Sequence, residues 1–226
     1  MRTFDSAFAL LSAGLLAVSL SACTGEEDDH GHDDDHGHDD HGHNHETEVI
    51  SQVQLTFTPV DGGEALVFSF EDPDGDGGVS GSSDTITLAA DTTYMLELEF
   101  INNLESPPED ITEEIADEAE EHYVFVYGDG VLGPAGMGSV VLATHGYDDL
   151  ESDYVTNAVG EDLPVGLVNT FETTATGTSE LKVMLRHLPE RNGDPQKEAD
   201  LPDMLAGGEA LPGEVDVEVS FELIVE

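Results

Sequence analysis

The chain has 226 residues and a formal charge of −46 at pH 7, from 51 acidic side chains against five Lys and Arg. That balance excludes binding to nucleic-acid backbones, because phosphate contacts need cationic side chains that release counterions, and it excludes adhesion to anionic lipid by charge. The length suits one ordinary domain and a little more, and the single cysteine, Cys23, leaves a folded domain no internal disulfide.

Residues 1–22 open with Arg2, continue as a largely apolar run from Ala7 to Leu20, and end on Ser21-Ala22 before Cys23. A charged start, a short apolar stretch and a small-residue cleavage site are the parts of a signal peptide. The run is too short for a comfortable transmembrane helix. "LSAC" resembles the lipobox of bacterial lipoproteins, in which the peptide is cut before a cysteine that becomes the lipidated first residue. The resemblance implies a lipidated Cys23 and attachment to the membrane through acyl chains, each buried methylene contributing about 0.8 kcal/mol. The acids of "TGEEDD" behind it resemble an export signal of Gram-negative lipoproteins. The expectation is a cell-envelope protein anchored at the outer membrane, its facing left open.

Residues 23–48 hold almost nothing apolar. Such a segment cannot bury enough surface to offset its ordering entropy, and it is expected to be a disordered tether. It carries seven of the ten histidines: His30, His32, His36, His38, His41, His43 and His45. Their spacing is His-x-His. In extended chain, alternate side chains share one side, so each pair can present two imidazoles to one ion. Zinc takes four ligands in a tetrahedron, which two pairs, or one pair with Asp, can supply. Copper and nickel suit imidazole as well; zinc is favoured on general availability. The interleaved aspartates draw cations in but also stabilise protonated imidazole, which cannot ligate. The alternative reading is a hydrophilic spacer, although a spacer has no need of histidines at pair spacing.

From residue 49 to 226 the pattern becomes that of one mostly β domain. "VISQVQLTF" (49–57) alternates Val53, Leu55 and Phe57 with Gln52, Gln54 and Thr56, and Ser51 breaks the apolar face. "ALVFSF" (65–70), "TITLAA" (85–90) and "TYMLELEF" (93–100) follow, the last with Tyr94, Leu96, Leu98 and Phe100 in phase. "EDITEEIADEAEE" (109–121) is the one predicted helix, with Ile111, Ile115 and Ala119 near one face. "HYVFVY" (122–127), "GSVVLAT" (138–144), "GLVNTFETT" (166–174) and "ELKVMLRHL" (180–188) continue the strands. Residues 189–213, rich in Pro and Gly, read as a long irregular loop. "EVDVEVSFELIVE" (214–226) closes the chain with Val215, Val217, Val219, Phe221, Leu223 and Val225 on one face. Short strands separated by Gly, Asp, Asn and Pro turns predict a single antiparallel β-sandwich, Ig-like or jelly-roll-like, with one short helix.

The segments "LTFTPVDGGEALVFSFEDPDGDGG", "TLAADTTYMLELEFINN", "ESPPEDITEEIADEAEEHYVF" and "LKVMLRHLPE" resemble a family of small bacterial lipoproteins common in Bacteroidota. The likeness covers most of the chain after residue 50. Members are sometimes labelled as a type 1 periplasmic-binding fold. That fold needs two α/β lobes with alternating helices, whereas this chain offers one helix, so the strand pattern sets the fold expectation. The resemblance implies a cell-envelope lipoprotein and supplies no activity and no site residues.

Three candidate sites stand in the domain. Asp72, Asp74 and Asp76 fall at positions 1, 3 and 5 of an EF-hand-like calcium loop, but Ser83 stands where the bidentate Glu belongs; the alternative is an acidic turn. His122 and His187 each lie in phase with an apolar strand face. If their strands are neighbours, they converge with Glu118 or Glu121 on one ion. His145 offers a third imidazole. The alternative is histidine packed at a strand end, or a pair of ordinary ion pairs through Arg186. No nucleophile motif, phosphate loop or basic cluster is present, so no enzyme activity is expected, a metal-dependent hydrolase being a distant alternative. The functional expectation is divalent-metal capture, buffering or delivery to an outer-membrane uptake receptor. The alternative is a module that binds a protein or glycan, the tract serving as a spacer.

Overall fold

In β1 (Gln52–Pro59), Val53, Leu55 and Phe57 are fully buried while Gln52, Gln54 and Thr56 stay partly exposed. This is the alternation expected of a strand with one face on a core. The computed structural model describes residues 48–75, 80–156 and 160–226. The residues read as a signal peptide, Cys23, the seven tract histidines and Asp76 lie outside the described residues.

The remaining strands are β2 (Leu66–Glu71), β3 (Ser82–Ser83), β4 (Ile86–Leu88), β5 (Thr93–Asn102), β6 (Glu109–Asp110), β7 (His122–Tyr127), β8 (Val131–Leu132), β9 (Ala143–Tyr147), β10 (Val168–Thr173), β11 (Gly177–His187) and β12 (Glu214–Val225). They make two sheets. The larger runs β3-β2-β1-β5-β10-β9-β8, with β6 on β5; the smaller runs β4-β12-β11-β7. Register carries the packing: β1 against β5 sets Val53 opposite Phe100, Leu55 opposite Leu98 and Phe57 opposite Leu96. Cross-strand apolar pairs of this kind stabilise a sheet by about 0.2–1 kcal/mol each. One apolar cluster draws on both sheets, from Leu55 and Phe171 of the larger to Val183 and Phe221 of the smaller.

The chain is therefore mostly β, with two sheets, as its strand pattern predicts, and it departs from the expected form in several respects. Two pairings are parallel, β12 with β4 and β8 with β9, and the larger sheet curls as a half-barrel, so this is not a plain antiparallel sandwich. The predicted helix is shorter than its pattern: α1 spans Ile111–Asp117, capped by Asp110, whose carboxylate accepts the Thr112 N–H. Residues 189–213 also hold a second helix, α2 (Leu201–Ala206). Leu201 packs with Tyr123, Phe125, Met184 and Leu188 in a second apolar cluster. These residues explain the helix: β7 is apolar on both faces, and its outward rings need a cover.

Strand β9 also starts later than predicted. Val140 is exposed, whereas Ala143 and His145 are buried.

Candidate metal centre

Two of the three domain histidines meet because β7 and β11 are antiparallel neighbours in the register His122 opposite His187. Their rings stack, centroids 4.8 Å apart and planes 9° from parallel. The turn after α1 places two acids beside them. His187 Nε2 lies 3.5 Å from Glu121 Oε2, and ligand atoms of Glu118, His122 and His187 lie within 4.8 Å of one another.

His122 is fully buried. Its Nδ1 sits 3.1 Å from the Glu118 carbonyl oxygen. A carbonyl only accepts, so Nδ1 carries the hydrogen and, in the neutral ring, Nε2 keeps its lone pair. Zinc-bound histidines are oriented by the same kind of backbone contact. Nε2 lies 3.3 Å from Glu48 Oε1, an ion-pair distance outside hydrogen-bond geometry. Burial pushes the ring's pKa down; Glu48 and Asp216 push it up and prevail.

Asp216 reaches this place through an irregularity. Along β12, Val217 pairs with Leu185 and Val215 pairs with Arg186, so Asp216 is the extra residue of a β-bulge. A bulge turns one side chain to the other face. Asp216 is accordingly 6% exposed while Val215 is 41% exposed, the reverse of their strand phase, which corrects Val215 as a core residue. Gly213, at φ +70°, lets the chain enter β12 in close contact with β11, since a Cβ there would meet the His187 carbonyl oxygen at 2.1 Å. Burial, and then Glu48, raise the Asp216 carboxyl to about 7. An open cleft of ≈ 360 Å³ adjoins it, lined by His187, Arg191, Gln196, Glu214 and Asp216 among others.

Glu48 and Asp216 are absent from the sequence-derived candidates. Glu48 is the acid closest to the first strand, a signal that was available. Asp216 is in phase with exposed Glu218 and Glu222, and nothing local announces the bulge. Glu118 and Glu121 stand where the spacing puts them.

His145 does not join this group. It lies in β9 of the larger sheet, opposite Phe171 of β10, with Nε2 2.9 Å from Asn169 Oδ1. Burial lowers its pKa. Its neutral form is thus favoured in the fold. That contribution to stability is fully present above the unfolded value near 6.5 and is lost as pH falls through the depressed folded value. Urea titrations at pH 7.5 and 5 should show a smaller acid loss for His145→Gln than for the parent protein; equal losses would refute the assignment.

The acidic loop is a turn among the described residues. The buried Asp72 carboxylate accepts the Gly75 N–H at 3.1 Å, and Asp74 accepts the Ser80 hydroxyl at 2.9 Å. Neither belongs to a group of candidate ligands among the described residues.

A second buried polar centre flanks the histidines. Lys197 Nζ is 2.8 Å from Glu151 Oε1, donates to the Ala119 carbonyl at 2.7 Å, and stands 5.2 Å from the centre of the Tyr123 ring. Asp149 accepts the N–H groups of Gly166, Leu167 and Val168 and the Tyr154 hydroxyl. These contacts tie loops together. No family model matches the chain, and no curated protein or solved structure matches it.

Proposed function

We propose that the protein is a lipoprotein of the cell envelope, anchored through Cys23, that binds divalent metal and holds it for buffering or for delivery to an uptake system. Zinc is the favoured ion, with copper and nickel as alternatives. The observation that carries the reading is the meeting of His122 and His187 beside Glu118, with ligand atoms within 4.8 Å. Imidazole with carboxylate is a zinc-type donor set. The seven histidines of 30–45 at pair spacing support it as a capture segment, and the two-sheet domain serves as a sandwich-like scaffold of Ig or jelly-roll kind. The resemblance to small Bacteroidota lipoproteins supports the cell envelope, and the acids of "TGEEDD" behind Cys23, which resemble an export signal, support the outer membrane as the place of attachment.

A second reading, a module for a protein or glycan, draws on an open cleft of ≈ 480 Å³ between α1 and the larger sheet, lined in part by Glu97, Glu99, Glu113 and Tyr154. Equilibrium dialysis separates the two. Dialysed at neutral pH against micromolar zinc, copper and nickel, the protein should come back with several ions per chain. A protein that returns with none leaves only the second reading.

A further inference from the structure

Three polar atoms are buried without a hydrogen-bond partner at one place: Glu48 Oε2, His122 Nε2 and Asp216 Oδ2. Each residue offers a ligand atom, and these lie within 4.8 Å of one another. Burying two carboxylates beside one imidazole is costly unless a positive charge joins them. The carboxylates raise the pKa of the His122 ring and Arg186 acts on Asp216 through space, but neither gives the unpartnered carboxylate oxygens a hydrogen bond. Arg186 directs its guanidinium at the carbonyl oxygens of Leu211, Pro212 and Gly213, at 2.6–3.0 Å.

We propose that Glu48, His122 and Asp216 form a discrete site for one divalent transition metal, open on its fourth side to the cleft at His187. The site is separate from the histidine tract, and it deepens the proposed function, resting on that reading for the class of ion. Three features of the fold support it. The Glu118 carbonyl fixes the His122 tautomer, so that the buried Nε2 presents a lone pair in the neutral ring. The bulge at Asp216, opposite the step from Leu185 to Arg186, brings an acid inward and Val215 outward. His122 Nε2 and Glu48 Oε1 already stand 3.3 Å apart, close to the separation of about 3.3 Å between ligand atoms on a tetrahedral zinc.

The donor set names the ion. One nitrogen and two carboxylate oxygens suit zinc and its neighbours, whereas calcium and magnesium prefer oxygen throughout. Three protein ligands with an open position are the arrangement of an exchangeable ion rather than a closed structural one. The cleft gives a further ligand access, so an ion held here can be passed on by ligand exchange.

The test uses the full chain with all seven tract histidines replaced by serine, beside the unaltered chain. The tract-silent chain should bind one zinc in calorimetric titration. Glu48→Gln and Asp216→Asn in that background should each weaken the site by about a hundredfold or more, since loss of a ligand exceeds the ten- to hundredfold effect of removing a supporting contact. Zinc should raise the melting temperature of the tract-silent chain and leave that of the two variants unchanged; a merely structural role predicts no zinc shift in the parent. Should a variant fail to fold, cobalt(II) bound to the tract-silent chain reports directly: intense visible bands of a four-coordinate nitrogen–oxygen site support the proposal, and the pale spectrum of six oxygens overturns it. A tract-silent chain that binds no zinc, or binds it equally well after both substitutions, also overturns it. If the unaltered chain still binds several ions in that case, the proposed function stands without this site. If both chains bind a single ion, the site stands and the capture role of the tract falls.

Discussion

Lys197→Met is expected to destabilise the domain by about 3–5 kcal/mol, the usual cost of removing one partner of a buried ion pair. Lys197 and Glu151 are both almost wholly shielded, with side chains 1% and 3% exposed. Burial lowers the lysine's pKa and Glu151 opposes that shift, so the ammonium is held by its carboxylate at 2.8 Å. Methionine fills much of the volume and returns no charge, which leaves Glu151 in a low-dielectric setting without its cation. The double variant Lys197→Met/Glu151→Leu should recover most of the loss, because replacing a whole buried pair by apolar groups is often neutral. Urea denaturation of the two variants measures both effects. A loss below about 1 kcal/mol for the single variant would mean that water reaches Glu151, and the pair would then count as a surface bridge. The effect extends to the candidate metal centre. Lys197 also holds the Ala119 carbonyl, and Leu188 N–H bonds to the Glu121 carbonyl at 2.6 Å. Both clamp the turn that carries Glu118 and aims His122. Zinc affinity at the domain site should therefore fall in the single variant even where the fold persists.

Replacing the seven tract histidines by serine should remove most of the bound zinc and leave the domain's stability unchanged. Seven imidazoles with interleaved aspartates complete about two to three tetrahedra at four ligands each, against one ion at the domain site. Capture by the tract should also fade with acid. Free imidazole titrates near 6.5, and a protonated ring cannot ligate. Zinc bound per unaltered chain should drop steeply between pH 7 and pH 5, measured by dialysis at fixed free zinc. A stoichiometry that is the same with and without the tract histidines would make the tract a spacer and return the metal question wholly to the folded domain.

Much of this protein is legible in its residues. The alternation in 52–57, 93–100 and 217–225 names three strands and their buried faces, because a two-residue period is a local property of extended chain. The phase of His122 with Val124 and of His187 with Leu185 is local in the same sense, and so are the lipobox-like "LSAC" and the histidine spacing. What the residues do not carry is which strand lies beside which. His122, His187 and His145 look equivalent along the chain; strand order pairs the first two and sends the third to the other sheet. Lys197 reads as one more solvated charge until α2 and its flanking loop fold over β7. Asp216 reads as an exposed acid until a single bulge reverses its face. In each case the deciding contact joins residues far apart in sequence, so no local pattern could report it. Composition and period determine the strands, their faces and a tract of histidines at pair spacing; only the assembled sheets decide that Glu48, His122 and Asp216 meet.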